Sequence, residues 1–349
     1  MRVTVGIGTV AGLGVFVVVG ASLAAPRSPS PPAQTAAADA TTRIVASAQA
    51  FLATLDEAGR TKVQFPFDSP QKARWSNLPT GIFKREGLRL GDLTQAQRAA
   101  AMALLSTALS QDGYRKVVEI MRGDETLRGA PGGPPRGGGV RFGEDEYYLA
   151  FLGVPSVSAP WMVQFGGHHL AINLTLAGRR ATLAPSHTAA QPASYSFEGR
   201  TVRPLGSEND RAFALMATLG ATQRSQAILG YSVSDLVLGP GHDGQTIQPE
   251  GLRASALSAS QQTMLMDLVL EWTGIAHDAF AAPRMDEIRA SLPQTYFAWS
   301  GPTTAGSAAY FRIQGPTLVI EYAPQRGVDH IHTIYRDPTN DYGARFARE

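Results

Sequence analysis

Two pairs of histidines have a spacing that could support metal chemistry. His330 and His332 lie two positions apart near the C-terminus, and His168 and His169 are adjacent in the middle of the chain. Because residues two apart on a β-strand point to the same face, the first pair could clamp one metal ion. Adjacent strand residues face opposite ways, so only one histidine of the second pair is expected to reach that ion. The alternative is structural: the first pair hydrogen-bonds a neighbouring loop, and the second has one packed and one exposed ring.

Three charged residues near the C-terminal histidines could complete such a site. Glu321 ends the apolar run 318–320, and a buried carboxylate is costly unless it is paired. It could be a fourth ligand, a general base or a salt-bridge partner of Arg336. Arg336 could in turn hold an anionic group of a substrate, and Asp337 stands next to it as a further catalytic candidate. The same segment, with Pro338, also has the composition of a polar turn.

With nitrogen and oxygen ligands only, zinc is the first choice of metal, and iron and copper accept similar ligands. Zinc lowers the pKa of a bound water to about 7, which makes hydroxide available for hydrolysis. The sequence therefore favours a metal-dependent enzyme, with hydrolysis as the reaction class and a small-molecule or anionic substrate. Two alternatives remain open: a metal-free ligand-binding protein whose histidines line a polar pocket, and a purely structural cluster.

Composition excludes several other classes of site. The chain has 349 residues, of which 44% are hydrophobic and 17% charged, so it can bury a substantial core. It has no Cys, which rules out thiolate ligands and cysteine nucleophiles. The basic residues are scattered and the formal net charge is only +2, unlike the clustered charge of a nucleic-acid-binding protein. No Gly-x-Ser-x-Gly motif of a serine hydrolase is present.

Residues 1–24 are predicted to be a signal peptide. Arg2 gives a positive start, residues 3–21 are apolar, and Ser22 and Ala24 are small residues of the kind that a signal peptidase reads. An uncleaved membrane anchor is the alternative, because the stretch is long enough to span a bilayer. Residues 25–41 are predicted to be a disordered linker. We therefore expect an exported protein, periplasmic or secreted, without stable membrane insertion after cleavage.

Residues 42–349 are predicted to form a single α+β domain with a mostly antiparallel sheet and flanking helices. No internal repeat is apparent. Apolar periodicity predicts helices over residues 42–59, 94–110, 114–127, 210–219 and 258–277. It predicts strands over residues 147–153, 161–165, 169–176, 181–183, 296–299, 309–314, 317–322 and 330–335.

Three segments resemble a known family. They are residues 165–173 (FGGHHLAIN), 310–322 (YFRIQGPTLVIEY) and 329–337 (DHIHTIYRD). They are similar to the Gly-His-His-Leu-Ser-Leu-Asn, Tyr-Arg-Ile-x-Gly-Pro…Ile-Glu-Tyr and His-Ile-His-(Ser/Thr)-(Val/Ile)-(Trp/Tyr)-Arg-Asp segments of domain-of-unknown-function family 3500. The resemblance implies an exported protein and no particular activity. Many members carry a larger residue at Gly167 and an Asp-Asn-containing segment at residues 323–325, which this chain lacks.

The mature protein is expected to lack residues 1–24, and residues 26–41 are expected to be sensitive to proteases. The test is N-terminal sequencing of protein from the extracytoplasmic fraction. Recovery of intact Met1 in a membrane pellet would instead identify the segment as an anchor.

Overall fold

The computed structural model describes residues 33–128 and 139–347, and the predicted signal peptide lies outside them. No helix among these residues is long and apolar enough to cross a membrane. The helices are α1 (Ala33–Ala53), α2 (Glu57–Val63), α3 (Gln95–Ala108), α4 (Gln111–Thr126), α5 (Gly206–Thr218), α6 (Ala221–Ala227), α7 (Ala259–Thr273) and α8 (Asp278–Ala290). The strands are β1 (Gln64–Phe65), β2 (Leu88–Arg89), β3 (Tyr148–Leu152), β4 (Trp161–Gly167), β5 (Leu170–Ala177), β6 (Arg180–Thr182), β7 (Ser186–Ala190), β8 (Tyr195–Phe197), β9 (Arg200–Val202), β10 (Leu252–Arg253), β11 (Tyr296–Ser300), β12 (Tyr310–Gly315), β13 (Leu318–Pro324) and β14 (Ile331–Arg336).

Twelve of these strands form one sheet, in the order β1-β3-β4-β5-β7-β14-β13-β12-β11-β10, with β2 beside β3 and β6 beside β5. Neighbouring strands are antiparallel except for the β1–β3 pair. The remaining two, β8 and β9, form a separate hairpin. The predicted α+β class, with a mostly antiparallel sheet and flanking helices, is confirmed.

The two faces of the sheet differ in chemistry because successive strand residues point to opposite sides. On β5, Ile172 and Leu174 belong to the main apolar core, which also contains residues of α3 and α7. Asn173 between them points to the other face and accepts a hydrogen bond from a glutamine of β4. Two long loops, residues 66–87 and 229–251, hydrogen-bond to the polar side chains of that second face. The candidate residues of β13 and β14 lie on this loop-covered side.

The sheet consists of two halves with the same strand order, which corrects the expectation that the chain has no internal repeat. The order β2-β3-β4-β5-β7 of the first half corresponds to β10-β11-β12-β13-β14 of the second. The halves meet where Thr188 pairs with Thr333, and their hydroxyl oxygens are 2.7 Å apart. The flanking pairs, His187 with Ile334 and Ala189 with His332, are related by an approximate two-fold axis through the threonines.

Each half begins with the same local motif, in residues 87–97 (GLRLGDLTQAQ) and 251–261 (GLRASALSASQ). In each, a two-residue strand leads into a 3-10 turn and then a capped helix. Thr94 and Gln97 form the capping box of α3, as predicted, and Ser258 forms the equivalent box of α7. The repeat is difficult to see in the sequence because elsewhere the halves share the apolar pattern more than the residue identities.

The predicted linker, residues 25–41, extends too far into the folded region. α1 begins at Ala33, and Ala37 and Ala40 are buried in the main core. The hydroxyl of Thr41 donates a 2.7 Å hydrogen bond to the carbonyl of Gly178. Alanine has the highest helix propensity of all residues, so this alanine-rich stretch forms a helix once the core offers it a packing surface.

The end of α1 and the strand β7 also differ from the prediction. α1 ends at Ala53, and Gly59 lies in α2, where its N–H donates to the N-cap Asp56. The strand β7 was not predicted, because its sequence, SHTAA, contains one β-branched residue and no large apolar one.

Substituting the N-cap residues should destabilise the two halves to a similar degree. Thr94→Ala and Ser258→Ala each remove the acceptor of one helix-terminal N–H, and each should lower the free energy of unfolding by about 1 kcal/mol in urea denaturation. Thr263→Ala, on the exposed side of α7, is the control. It should be neutral or slightly stabilising because alanine favours the helix interior. Equal losses in Ser258→Ala and Thr263→Ala would contradict a capping role.

Candidate metal centre

All four histidines of the two pairs converge at one end of the central strands. The rings of His168 and His169 stack with their centroids 3.6 Å apart. The centroid of His169 lies 4.9 Å from that of His330 and 5.7 Å from that of His332, and the latter two are 4.6 Å apart. The predicted convergence of His330 and His332 with the central pair is therefore present.

His168 and His169 form the two-residue turn between β4 and β5, so the expectation that only one of them can face the site is wrong. His169 has a φ of 64°, a left-handed conformation that is uncommon outside glycine. In a turn the strand alternation no longer applies, and both rings reach the same side.

The backbone of this turn is held by three different elements. Its successive carbonyls at Gly167, His168 and His169 accept hydrogen bonds from the Arg85 guanidinium (2.7 Å), the Tyr147 hydroxyl (2.8 Å) and a backbone N–H of β7 (2.8 Å). A Cβ at Gly167 would lie 2.8 Å from the ring of Tyr147, so a larger residue at this position requires that ring to move. The turn thus positions its two imidazoles rigidly.

The spacing of the ring nitrogens suits a metal ion. One nitrogen each of His169, His330 and His332 lies within 4.8 Å of the other two. The Nε2 atoms of His169 and His330 are 3.0 Å apart. Two nitrogens bound to a tetrahedral zinc at about 2.0–2.1 Å lie roughly 3.3 Å from each other. The same 3.0 Å distance also fits a direct N–H···N hydrogen bond.

Two aspartates, neither among the predicted site residues, contact the cluster. Asp124 of α4 lies 2.5 Å from Nδ1 of His168 and also accepts a hydrogen bond from the N–H of Gly143. Asp235, in the loop 229–251, lies 3.4 Å from Nδ1 of His332. Asp124, His168 and His169 form a second group close enough to hold a metal ion. Carboxylates that bind the far nitrogen of an imidazole fix its tautomer and orientation.

Burial lowers the pKa of two imidazoles of the cluster, His169 and His330. Burial, followed by the neighbouring His168, holds the pKa of His169 well below its usual range. Burial and then His332 lower the pKa of His330 to about 4. Burial acts to raise the pKa of Asp235, but hydrogen bonds from His332 and the backbone of Leu236 lower it overall. At neutral pH the rings of His169 and His330 are therefore neutral and the carboxylate of Asp235 is ionised, and a neutral imidazole is the form that binds a metal.

A fifth histidine, His187, lies behind the cluster. It is the counterpart of His332 across the approximate two-fold axis, and their ring centroids are 5.6 Å apart. It is fully buried beside Trp75, and neither of its nitrogens makes a hydrogen bond of normal geometry with the described residues. Burial, and then His332, hold its pKa well below the usual range. No other histidine lies near His187 in the sequence, so the spacing of the histidines did not predict that it lies beside the cluster.

Glu321 is not brought to the histidines, contrary to its predicted role as a ligand or general base. Its carboxylate oxygens accept hydrogen bonds from the N–H groups of Val237 and Leu238, both at 2.7 Å, and from the hydroxyl of Tyr310 at 2.8 Å. The side chain is fully buried, and burial raises its pKa despite these bonds. Glu321 fastens the loop 229–251 to the sheet.

Arg336 and Asp337 also have structural partners in place of the substrate-binding and catalytic roles predicted for them. The guanidinium of Arg336 donates to two loop carbonyls and forms ion pairs with Asp243 (3.0 Å) and Asp341 (2.8 Å). Asp337 accepts hydrogen bonds from the N–H and hydroxyl of Thr339, which is the polar turn proposed as the alternative. Neither side chain belongs to the groups of described residues that could hold a metal.

Glu321→Gln should destabilise the protein without changing its metal content. The amide nitrogen of Gln would face an N–H donor, so we expect a loss of about 1–3 kcal/mol in the free energy of unfolding. Glu198→Gln, at an exposed carboxylate, is the control and should change stability by less than about 0.5 kcal/mol. Loss of metal in the Glu321 variant at unchanged stability would restore Glu321 as a ligand.

Comparison with known proteins agrees with the resemblance of the three motif segments. No curated protein and no solved structure matches the chain. A family described as "Protein of unknown function (DUF3500)" matches residues 37–344, which include α3 to β14 and every histidine of the cluster. The chain therefore belongs to this family of unknown function, domain-of-unknown-function family 3500.

Proposed function

We propose that the protein is an exported, metal-dependent enzyme of the zinc type, with hydrolysis as its reaction class. The observation that carries this proposal is the convergence of His169, His330 and His332, with one nitrogen from each within 4.8 Å of the others. Three protein ligands leave a tetrahedral ion one open position, which is the arrangement of catalytic rather than structural zinc sites.

The surroundings of the three histidines support a catalytic assignment. His168 extends the cluster on one side, held by Asp124, and Asp235 orients His332 on the other. The side chain of Asp235 is 56% exposed, so a carboxylate that contacts the cluster also faces solvent. A zinc ion bound here would supply a water of lowered pKa, and Asp235 would hold the imidazole of His332 in the orientation and tautomer that the ion needs.

The substrate proposed is a small molecule with an anionic group. Arg336 is not free to bind it, because its donors are taken by the loop and two aspartates. Arg326, in the turn between β13 and β14, is exposed and near enough to help lower the pKa of His330. We assign to Arg326 the orienting role first predicted for Arg336, and export follows from the predicted signal peptide.

The alternative function is metal-free ligand binding in a polar, histidine-lined pocket of an exported protein. It is favoured by one observation: the 3.0 Å contact between His169 and His330 already satisfies one nitrogen of each ring as a hydrogen bond. In this case the histidines need no ion, and the cluster recognises a polar ligand directly.

Elemental analysis of the purified protein decides between these functions. We expect about one equivalent of a transition metal per chain, lost in His330→Ala/His332→Ala and retained in His242→Ala, the variant of a half-buried histidine outside the cluster. A chelator should lower the melting temperature of wild type and of His242→Ala but leave the double variant unchanged, because metal binding stabilises only a folded state that has the site. A wild type that is free of metal and insensitive to chelator would support the metal-free pocket.

A further inference from the structure

A separate cavity lies at the opposite end of the central strands from the histidine cluster. Its volume is about 310 Å³, and it opens between the start of α8, the strand β6 and the C-terminal segment that follows β14. The approximate two-fold axis relates the turn of His168 and His169 to the turn of Pro316 and Thr317. The side chain of Thr317 accepts a hydrogen bond from Arg284, which lines this cavity. The two ends of the sheet therefore carry two different sites.

The charge of the cavity wall is predominantly positive. Among the described residues of the wall, two carboxylates, Glu287 and Asp337, face the guanidinium groups of Arg179, Arg284 and Arg345. Arg284 and Arg345 both contact each of the two carboxylates. The acids are thus already neutralised, and the contact observed for Arg179 is a hydrogen bond to the neutral amide of Gln34.

Arg284 gives the wall a fixed cation. It is only 14% exposed, and it is held by the hydroxyl of Tyr335 (2.9 Å) and by the backbone and side chain of Thr317. The first turn of α8, at Ala279 and Phe280, also lines the cavity and presents the positive end of the helix dipole. An anion in the cavity would therefore meet an environment that needs little rearrangement.

The floor of the cavity is apolar. Phe280, Pro283 and Phe346 line it, and the guanidinium of Arg180 lies over the ring of Phe346 at 4.9 Å. A ligand that fills this space must combine an anionic group with an apolar body, since inorganic anions would leave the aromatic surface uncovered.

We propose that this cavity binds a small organic carboxylate, with its charge on Arg179 and Arg345 and its apolar part on Phe280 and Phe346, while Arg284, whose donors are taken, contributes positive charge alone. The site is independent of the metal proposed for the histidine cluster and lies outside the function proposed above. Recognition of this kind uses the planar guanidinium groups of arginine, which can bind a carboxylate through two parallel hydrogen bonds.

The test compares three probes by ligand-observed NMR at constant ionic strength: benzoate, acetate and benzyl alcohol. Benzoate should bind at least about fivefold more tightly than either of the others, because only benzoate supplies both the charge and the ring. Arg179→Gln should weaken benzoate about three- to fivefold, as expected for one exposed charged contact. Arg179→Gln/Arg345→Gln should weaken it further.

Two controls separate this site from others. Arg200→Gln removes one charge from an exposed arginine elsewhere and should leave benzoate binding unchanged. His330→Ala/His332→Ala should also bind benzoate as wild type does, which shows that the carboxylate is not on a metal at the histidine cluster. Equal binding of benzoate and acetate, an equal loss in Arg200→Gln, or loss of benzoate in the histidine variant would overturn the proposal.

Discussion

The pairing of β7 with β14 is the interaction on which the rest of the structure depends. β7 also pairs with β5, so this short strand joins the two half-sheets into one. Its register brings the turn before β5 close to the beginning of β14, which places His169 beside His330 and His332. Thr188 and Thr333 fix the register at the centre, because a slip by one residue would turn the imidazole of His332 to the helix-covered face.

The loop-covered face of the sheet follows from the same geometry. A sheet with helices on one side needs a cover for its other side, and here two long loops supply it. Glu321 accepts two loop N–H groups, and Arg336 donates to two loop carbonyls, so buried charges serve as the loop's fastening points. These bonds compensate the cost of burying both charges. Both residues hold the loop 229–251, which also carries Asp235. The sheet therefore also positions the carboxylate that contacts His332.

Local sequence patterns predicted much of the fold, whereas contacts between residues distant in the sequence were not predicted. The cap of α3, most of the longer strands and the proximity of His330 to His332 follow from short-range spacing, because capping and strand alternation act over a few residues. The role of Asp124 does not, since it lies in the last turn of α4, 44 residues from His168. Glu321 was correctly singled out as a buried carboxylate and Arg336 was predicted to orient a substrate, but a buried charge is equally suited to catalysis and to holding a loop. Only their hydrogen-bond partners distinguish the two.

The two ends of the sheet have related backbones but different side chains, since one end is rich in histidine and the other in arginine. The two halves share backbone geometry, but the axis relates His330 and His332 to Pro185 and His187, and the turn of His168 and His169 to Pro316 and Thr317. The symmetry-related positions therefore carry a single imidazole, His187, which is buried at the axis, and they cannot assemble a second cluster. At the end of the sheet opposite the histidine cluster, the turn of Pro316 and Thr317 is contacted by the guanidinium of Arg284. Equivalent backbones thus carry different chemical groups at the two ends of the sheet, because a few side chains at the ends of the strands determine them.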